Sequence, residues 1–420
     1  MTLSRRQLLQ ASAGVLGYAA LPVFARTDKA TLVVVGGGFG GATAARTLKT
    51  LMPRARVTLV EPKSAYIACP FSNLVVAGQR SLKEQAFDYR GLESAGIRVA
   101  RTTATDIQAG RVKLATGAEL KADRVIISPG ISMDYASLAG YDESAVKTMP
   151  HAWQAGEQTR LLRDQLRAMP DNGVVLMSIP PAPYRCPPGP YERASLIAGF
   201  LAANKPGAKL LLLDGNDKFS KQPLFEAAWK EYYGDIIEWR GASDFGAVQR
   251  VDVAAMTLYT DFDAERGDVV NVIPPQMAGR IAQRIGAADA TGWCPIDATT
   301  FESTRVAGVH IIGDATIAAP MPKSAFSANA QAKVCAIQVA RSLADLPPEA
   351  TTLANTCYSY TTPDTAISVS GVYTNTGGRF ANVPGAAGTS PFNAPAGLRA
   401  REALQAADWF RAITREAFAA

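Results

Sequence analysis

Residues 31 to 61 constrain the fold more than any other stretch. Thr31-Leu32-Val33-Val34-Val35 is a continuous apolar, mostly β-branched run of the kind that makes a strand buried on both faces of a parallel sheet. It leads directly into Gly36-Gly37-Gly38-Phe39-Gly40-Gly41. An Ala-rich stretch from Ala42 to Met52 reads as a helix, and Arg56 to Val60 as a second strand that ends at Glu61. Strand, GxGxxG, helix, strand and acid thus stand in register, the fingerprint of a dinucleotide site. Gly36 permits the tight turn, Gly38 lets the backbone approach a pyrophosphate, and Gly41 brings helix and sheet together. Phe39 and Gly40 complete the loop, the helix N-terminus faces the phosphates, and Glu61 takes the ribose hydroxyls.

The other half of such a fold lies far downstream. Gly308-Val309-His310-Ile311-Ile312-Gly313-Asp314-Ala315 is an apolar strand ending in Gly-Asp. It resembles the second FAD motif of the glutathione-reductase-like flavoproteins, whose aspartate binds the ribityl and pyrophosphate region. Asp123-Arg124-Val125-Ile126-Ile127-Ser128-Pro129-Gly130 resembles the strand and turn by which that family leaves its FAD domain. Two motifs flanking an insertion imply FAD rather than a simple dehydrogenase.

Inside the insertion a second βαβ unit begins near Gly173, with strands at 174–179 and 209–214. Its first loop is Pro180-Pro181-Ala182-Pro183-Tyr184-Arg185-Cys186-Pro187-Pro188-Gly189-Pro190. Each proline removes a backbone donor, so this loop is not expected to cradle a pyrophosphate, and NAD(P)H is not the expected electron donor. The fold class is therefore α/β, with two Rossmann-like dinucleotide-binding domains and a C-terminal α+β interface domain. The expected boundaries are 26–138 with 281–351 for the FAD domain, 139–280 for the second domain and 352–420 for the last. In that last part Ile367 to Tyr373 alternates like a half-buried strand, and Ala406, Phe410, Ile413 and Ala417 align on one face of a closing helix.

Residues 1–25 read as an address. Ser4-Arg5-Arg6-Gln7-Leu8-Leu9 is a twin-arginine start, Ala11 to Leu21 is apolar, and Val23-Phe24-Ala25 offers a cleavage site. The apolar part is about half of the ~20 residues a span needs, so no membrane span is expected. An amphipathic N-terminal helix is the other reading of this segment. Export by the twin-arginine route places the protein in the periplasm, where a disulfide persists. The net charge is +6, too mild to imply nucleic acid, although a local patch for an acidic protein partner stays open. Two histidines and five scattered cysteines without a CxxC pair argue against a metal site, and His310, inside an apolar run, reads as a core histidine.

Four blocks carry a more specific resemblance: Tyr66-Ile67-Ala68-Cys69-Pro70-Phe71-Ser72-Asn73, Pro183 to Arg193, Pro320-Met321-Pro322-Lys323-Ser324, and Asn355-Thr356-Cys357-Tyr358-Ser359. They resemble the flavoprotein subunit of flavocytochrome c sulfide dehydrogenase, over essentially the whole chain after residue 25. The resemblance implies a sulfide:cytochrome c oxidoreductase with FAD held covalently at Cys69 through the flavin 8α-methyl group. It also implies a redox disulfide between Cys186 and Cys357, proton handling at Glu192, and a c-type cytochrome partner of one or two haems. Lys63, Ala104, Gly130, Gly313, Asp314, Lys323 and Ser324 are counted with the glycine loop as FAD-binding residues. Arg185 is expected to favour a thiolate on adjacent Cys186. Taken without the resemblance, Cys69 reads as a small buried residue, Cys186 and Cys357 as a structural bridge, and Glu192 as an exposed helix-start acid. A sulfide:quinone oxidoreductase and a non-catalytic flavin-binding partner remain as rivals. Cys335 reads as buried in an Ala-rich helix, and Cys294 is left without a role.

Overall fold

The computed structural model describes residues 29–419, so the twin-arginine segment lies outside the described residues. The chain opens on β1 (Thr31–Val35), α1 (Phe39–Leu51) and β2 (Arg56–Val60). A short helix, α2 (Ser72–Val76), precedes β3 (Arg98–Ala100), a three-stranded antiparallel meander spanning Ala104 to Lys121, and β4 (Arg124–Ile127). These strands join β5 (Val309–Ile311) in a parallel sheet of order β5-β4-β1-β2-β3. Valine and isoleucine line both faces of β1 and β4, and both faces are covered. On one face α1 packs against α3 (Ala325–Leu343), and small residues let them approach: Ala42, Ala44 and Ala45 share a core with Ala332, Ala336 and Val339. Asn329 donates to Thr43 Oγ1 across that interface at 2.9 Å.

The insertion builds a second parallel sheet. Val174–Ile179, Lys209–Asp214, Ile237–Arg240 and Val269–Val272 pair in the order third, second, first, fourth. The helices Gly189–Asn204 and Gln222–Tyr233 serve it. The two sheets are joined by a two-stranded link, Ile131–Met133 against Gln276–Ala278. This linker carries Gln276 to the boundary between the domains.

The last part is a long hairpin, Thr352–Thr362 against Thr365–Thr374, with a helix Ala396–Phe418 laid on it. The anticipated face of that helix is buried: Ala406, Phe410, Ile413 and Ala417 all enter the core. Cys335 is buried inside α3, and His310 is a core histidine whose Nδ1 sits 2.9 Å from the Thr300 carbonyl. No helix among the described residues is long and apolar enough to cross a membrane.

Candidate active site

The glycine loop is as tight as its sequence implies. Gly36 has φ +98°, and a Cβ there would lie 2.3 Å from the Ser128 carbonyl oxygen. A Cβ on Gly41 would meet the Gly36 carbonyl oxygen at 1.8 Å, so only glycine lets α1 start this close to β1. Glu61 at the end of β2 accepts the Gly37 N–H at 2.8 Å and the Lys63 N–H at 3.0 Å, which fixes its carboxylate beside the loop. Phe39 does not offer its ring to a ligand. The ring is buried edge-on to Tyr66, with centroids 5.3 Å apart, leaving only its backbone at the helix N-terminus for binding. Ala104 likewise gives its side chain to the core beside Val35 and Val60. Gly130 takes φ +62° and accepts the Gly279 N–H, and Gly313 at φ +79° donates to Gln331.

A second group of residues, around Arg185, suits a flavin nucleotide. Asp314 Oδ1, Trp153 Nε1 and Gln276 Nε2 are buried polar atoms without a partner. All three belong to residues around Arg185, whose N–H donates to Gln276 Oε1 at 3.0 Å, whose guanidinium donates to the Trp153 carbonyl and whose charge faces Asp314. Buried polar groups left unpaired are rare, and three around one residue mark a place where a polar ligand supplies the missing bonds. Burial pushes the Asp314 carboxyl up, against the pull of Arg185 and Lys323. Lys323 donates to the carbonyls of Asp314 and Thr316 at 3.0 and 2.6 Å, with its ammonium 3.7 Å from the Trp293 ring centre. Burial lowers its pKa to about 8. Cys69 lies beside these residues: its Sγ accepts the Ala155 N–H at 3.4 Å, and Arg185, Arg193 and Tyr66 are its neighbours.

The two remaining sequence-picked cysteines come close to each other near Lys323 and Ser324. Cys186 sits in the proline loop, at φ +59°, with its N–H donated to the Lys323 carbonyl at 2.8 Å. Cys357 comes from the C-terminal hairpin. All five cysteines are free thiols in this structure, and Cys357 is the largest electrostatic neighbour of Cys186. Both residues keep partial contact with solvent, yet burial pushes both thiols up. For Cys357 the push is opposed by Asn355, whose Nδ2 is 3.3 Å from its Sγ, and by Lys221 and Ser324. Ser324 therefore acts at the cysteines as well as at α3, whose N-terminus it caps through a 3.0 Å bond from Ser327; its hydroxyl also donates to Asn355 at 2.6 Å.

Glu192 is no exposed helix-start acid. One oxygen accepts the Tyr360 N–H at 2.9 Å and the other the Asn73 amide at 2.7 Å, tying the proline-loop helix, the hairpin and α2 together. Burial raises its pKa despite those donors and despite nearby Lys221 and Arg193. Arg185, whose guanidinium is held at Trp153, has Cys69 and Asp314 as its larger charged neighbours, and it also opposes the rise of the Cys186 thiol, as expected of the adjacent cation. Trp153, Gln276 and Lys221 went unmarked by motif reasoning. They stand in unremarkable local sequence and reach the site only through the folding of the second domain.

The former nucleotide site of the second domain is filled from within. Asp214, at the position where a ribose-binding acid would stand, accepts from Tyr191 at 2.6 Å, Trp239 at 2.9 Å and Asn216 at 2.8 Å. Tyr191 in turn stacks on Phe219 with ring centres 3.7 Å apart.

Residues 159–274 match the family model "Sulfide dehydrogenase [flavocytochrome c] flavoprotein chain, central", and residues 349–418 match "Flavocytochrome c sulphide dehydrogenase, flavin-binding". Residues 30–167 match the pyridine nucleotide-disulphide oxidoreductase model. The sulfide dehydrogenase flavoprotein chain of Chlorobaculum thiosulfatiphilum is 64% identical over 44 residues, which are 10% of this chain and 92% of that sequence. Mouse mitochondrial sulfide:quinone oxidoreductase is 22% identical over 327 residues, 72% of this chain and 69% of the relative. In fold, the sulfide:quinone oxidoreductase of Aquifex aeolicus superposes with a TM-score of 0.73 at 17% identity, covering 93% of this chain and 92% of that one. Glycine loop, Gly-Asp strand and flavin-binding C-terminal part together show an FAD-binding oxidoreductase, and the chain belongs to the family of the flavoprotein chain of flavocytochrome c sulfide dehydrogenase.

Proposed function

We propose that this chain oxidises sulfide at a Cys186–Cys357 disulfide beside FAD and passes the electrons to a c-type cytochrome. The observation that carries the reading is that these two cysteines, 171 positions apart in the chain, come together with Glu192 and Lys221. Hydrosulfide is a small, soft nucleophile, and a disulfide is its natural electrophile. Its attack forms one S–S bond and breaks another, leaving a persulfide on one cysteine and a thiolate on the other. The bound flavin supplies the two-electron acceptor that can release electrons singly to a haem. Glu192, held by Tyr360 and Asn73 with its pKa raised, is placed to take or return a proton at the pair. Cys69 is proposed as the covalent anchor, since it lies beside Arg185 and Trp153. The address at residues 1–25 supports a periplasmic setting. The acid and aromatic residues that fill the second domain support the exclusion of NAD(P)H.

The acceptor is tested directly. Purified holoprotein is given sulfide together with either an oxidised c-type cytochrome or a short-chain ubiquinone, and acceptor reduction is followed. Cytochrome reduction at least tenfold faster than quinone reduction is expected. The reverse order would assign the chain a quinone-linked role, and no reduction of either would remove the enzymatic reading.

A further inference from the structure

Lys221 stands where a lysine costs most. It is the residue before the helix Gln222–Tyr233, so it places a cation at the positive end of a helix dipole. Its backbone is left-handed, φ +63°, which a side chain with a Cβ resists. Its side chain is buried, and burial brings its pKa down to about 8. The ammonium donates to the Cys357 carbonyl at 3.1 Å, the Ser359 hydroxyl at 2.8 Å and the Ile367 carbonyl at 3.4 Å. Ser359 and Ile367 are directly opposed across the C-terminal hairpin, so one amine staples both strands beside Cys357. A neutral donor could make the same staple without burying a charge. What a cation adds is a field, and the groups that face it show where that field falls: Cys357 first, then Glu192 from the proline-loop helix, Cys186 from the proline loop itself, and Glu402 from the last helix. Glu402 has its own partners in Ser368, Ser390 and Arg399, and Glu192 has Asn73 and Tyr360.

We propose that Lys221 is the positioning residue of the cysteine pair. It holds the Cys357 strand in reach of Cys186 and supplies the positive charge against which a thiolate forms there. The proposal rests on the sulfide reading and deepens it. When hydrosulfide adds to one sulfur of the bridge, the two electrons of the broken S–S bond leave on the other sulfur, so one negative charge enters and one stays buried. Arg185, whose guanidinium is held at Trp153, weighs on Cys186 more than Lys221 does, but at Cys357 the cation is Lys221. Lys221 therefore meets a thiolate left on Cys357.

The test reads the thiol itself. In full-length, reduced holoprotein with Cys186→Ser, the rate of Cys357 modification by methyl methanethiosulfonate is measured against pH by peptide mass. Lys221→Met and Lys221→Gln are compared with Lys221→Arg, and flavin content with thermal midpoint identifies the folded variants. The modification midpoint is expected to rise by about one pH unit or more in the uncharged variants and to return close to the parent value with arginine, as for loss and restoration of a neighbouring opposite charge. Ser359→Ala, which cuts one strand of the staple and keeps the cation, is expected to leave the midpoint in place. An unmoved midpoint in the uncharged variants would overturn the proposal, and so would a Ser359→Ala shift as large as theirs. If the wild-type chain fails to oxidise sulfide while the midpoint still moves, the functional reading falls and the role of Lys221 at the thiols stands.

Discussion

Four of the seven non-glycine residues with positive φ among the described residues gather at this site: Phe71, Ala152, Cys186 and Lys221. Such backbone conformations persist only where surrounding structure over-determines them, and they concentrate where geometry serves function. Ala152 shows how the constraint is met. The fully buried Arg193 donates to the Ala152 carbonyl at 2.6 Å, to the His151 carbonyl at 2.8 Å and to Asn73 and Asn271. The same knot holds His151, whose Nδ1 accepts the Trp153 N–H at 2.9 Å. Burial, with Arg193 and Arg185 adding to it, lowers the His151 pKa from 6.5 to about 3. The unfolded chain then binds the extra proton between those values while the folded chain does not, so stability from the neutral ring is complete above pH 6.5 and is lost as pH falls toward 3. A melting series from pH 7 to 4 is expected to show this acid loss in the wild type and a shallower slope in His151→Asn, which keeps an acceptor without the titration. Equal slopes would mean that other groups govern the acid limb. Cys69 gives a second residue-level expectation: acid-precipitated protein keeps its yellow colour and its Cys69 peptide carries the mass of FAD, whereas Cys69→Ser releases the flavin into the supernatant. Complete release from the wild type would contradict the covalent anchor.

At the scale of elements, much of the architecture was legible because it is written locally. The β1–loop–α1–β2 run and the Gly313-Asp314 turn are contiguous motifs whose residues act through their own backbone, so reading them in order suffices. In a Cys69→Ser background, where the flavin is held reversibly, Gly41→Ala should accordingly lower FAD affinity by more than tenfold, about 1.4 kcal/mol, because the added methyl meets the Gly36 carbonyl; flavin content after dialysis reads it, and affinity equal to that of Cys69→Ser alone would show that the loop has slack. The proline loop was legible as a lost phosphate cradle, but not what replaced the nucleotide: Tyr191, Phe219 and Trp239 come from three separate segments and converge on Asp214. Side-chain direction was the harder matter. Adjacency pointed correctly to Arg185 as a cation at Cys186, but not to its larger neighbours Cys69 and Asp314 or to its bond to the Trp153 carbonyl. The cation at Cys357, Lys221, lies 136 positions from it and forms part of no motif.

The whole molecule is organised so that no single domain owns the site. The FAD sheet contributes the glycine loop, Asp314 and Lys323; the second domain contributes Cys186, Glu192 and Lys221; the C-terminal hairpin contributes Cys357. Glu192 and Lys221 are among the bonds between these bodies, through Asn73 and Tyr360 in one case and through Cys357, Ser359 and Ile367 in the other. A reaction that opens the cysteine pair therefore changes charge at a three-way junction, and it is here that the account is most exposed. The direct measurement is rapid-mixing absorbance of the flavin after addition of sulfide to the wild type, Cys186→Ser and Cys357→Ser, each with flavin content and dithionite reduction checked first. The account predicts prompt bleaching in the wild type, loss of at least about a hundredfold in rate in both variants, equivalent to some 2.7 kcal/mol, and undiminished transfer from dithionite-reduced flavin to cytochrome. Sulfide bleaching at near wild-type rates in both serine variants would contradict it, and would leave the pair a structural feature beside a flavin that sulfide reaches directly.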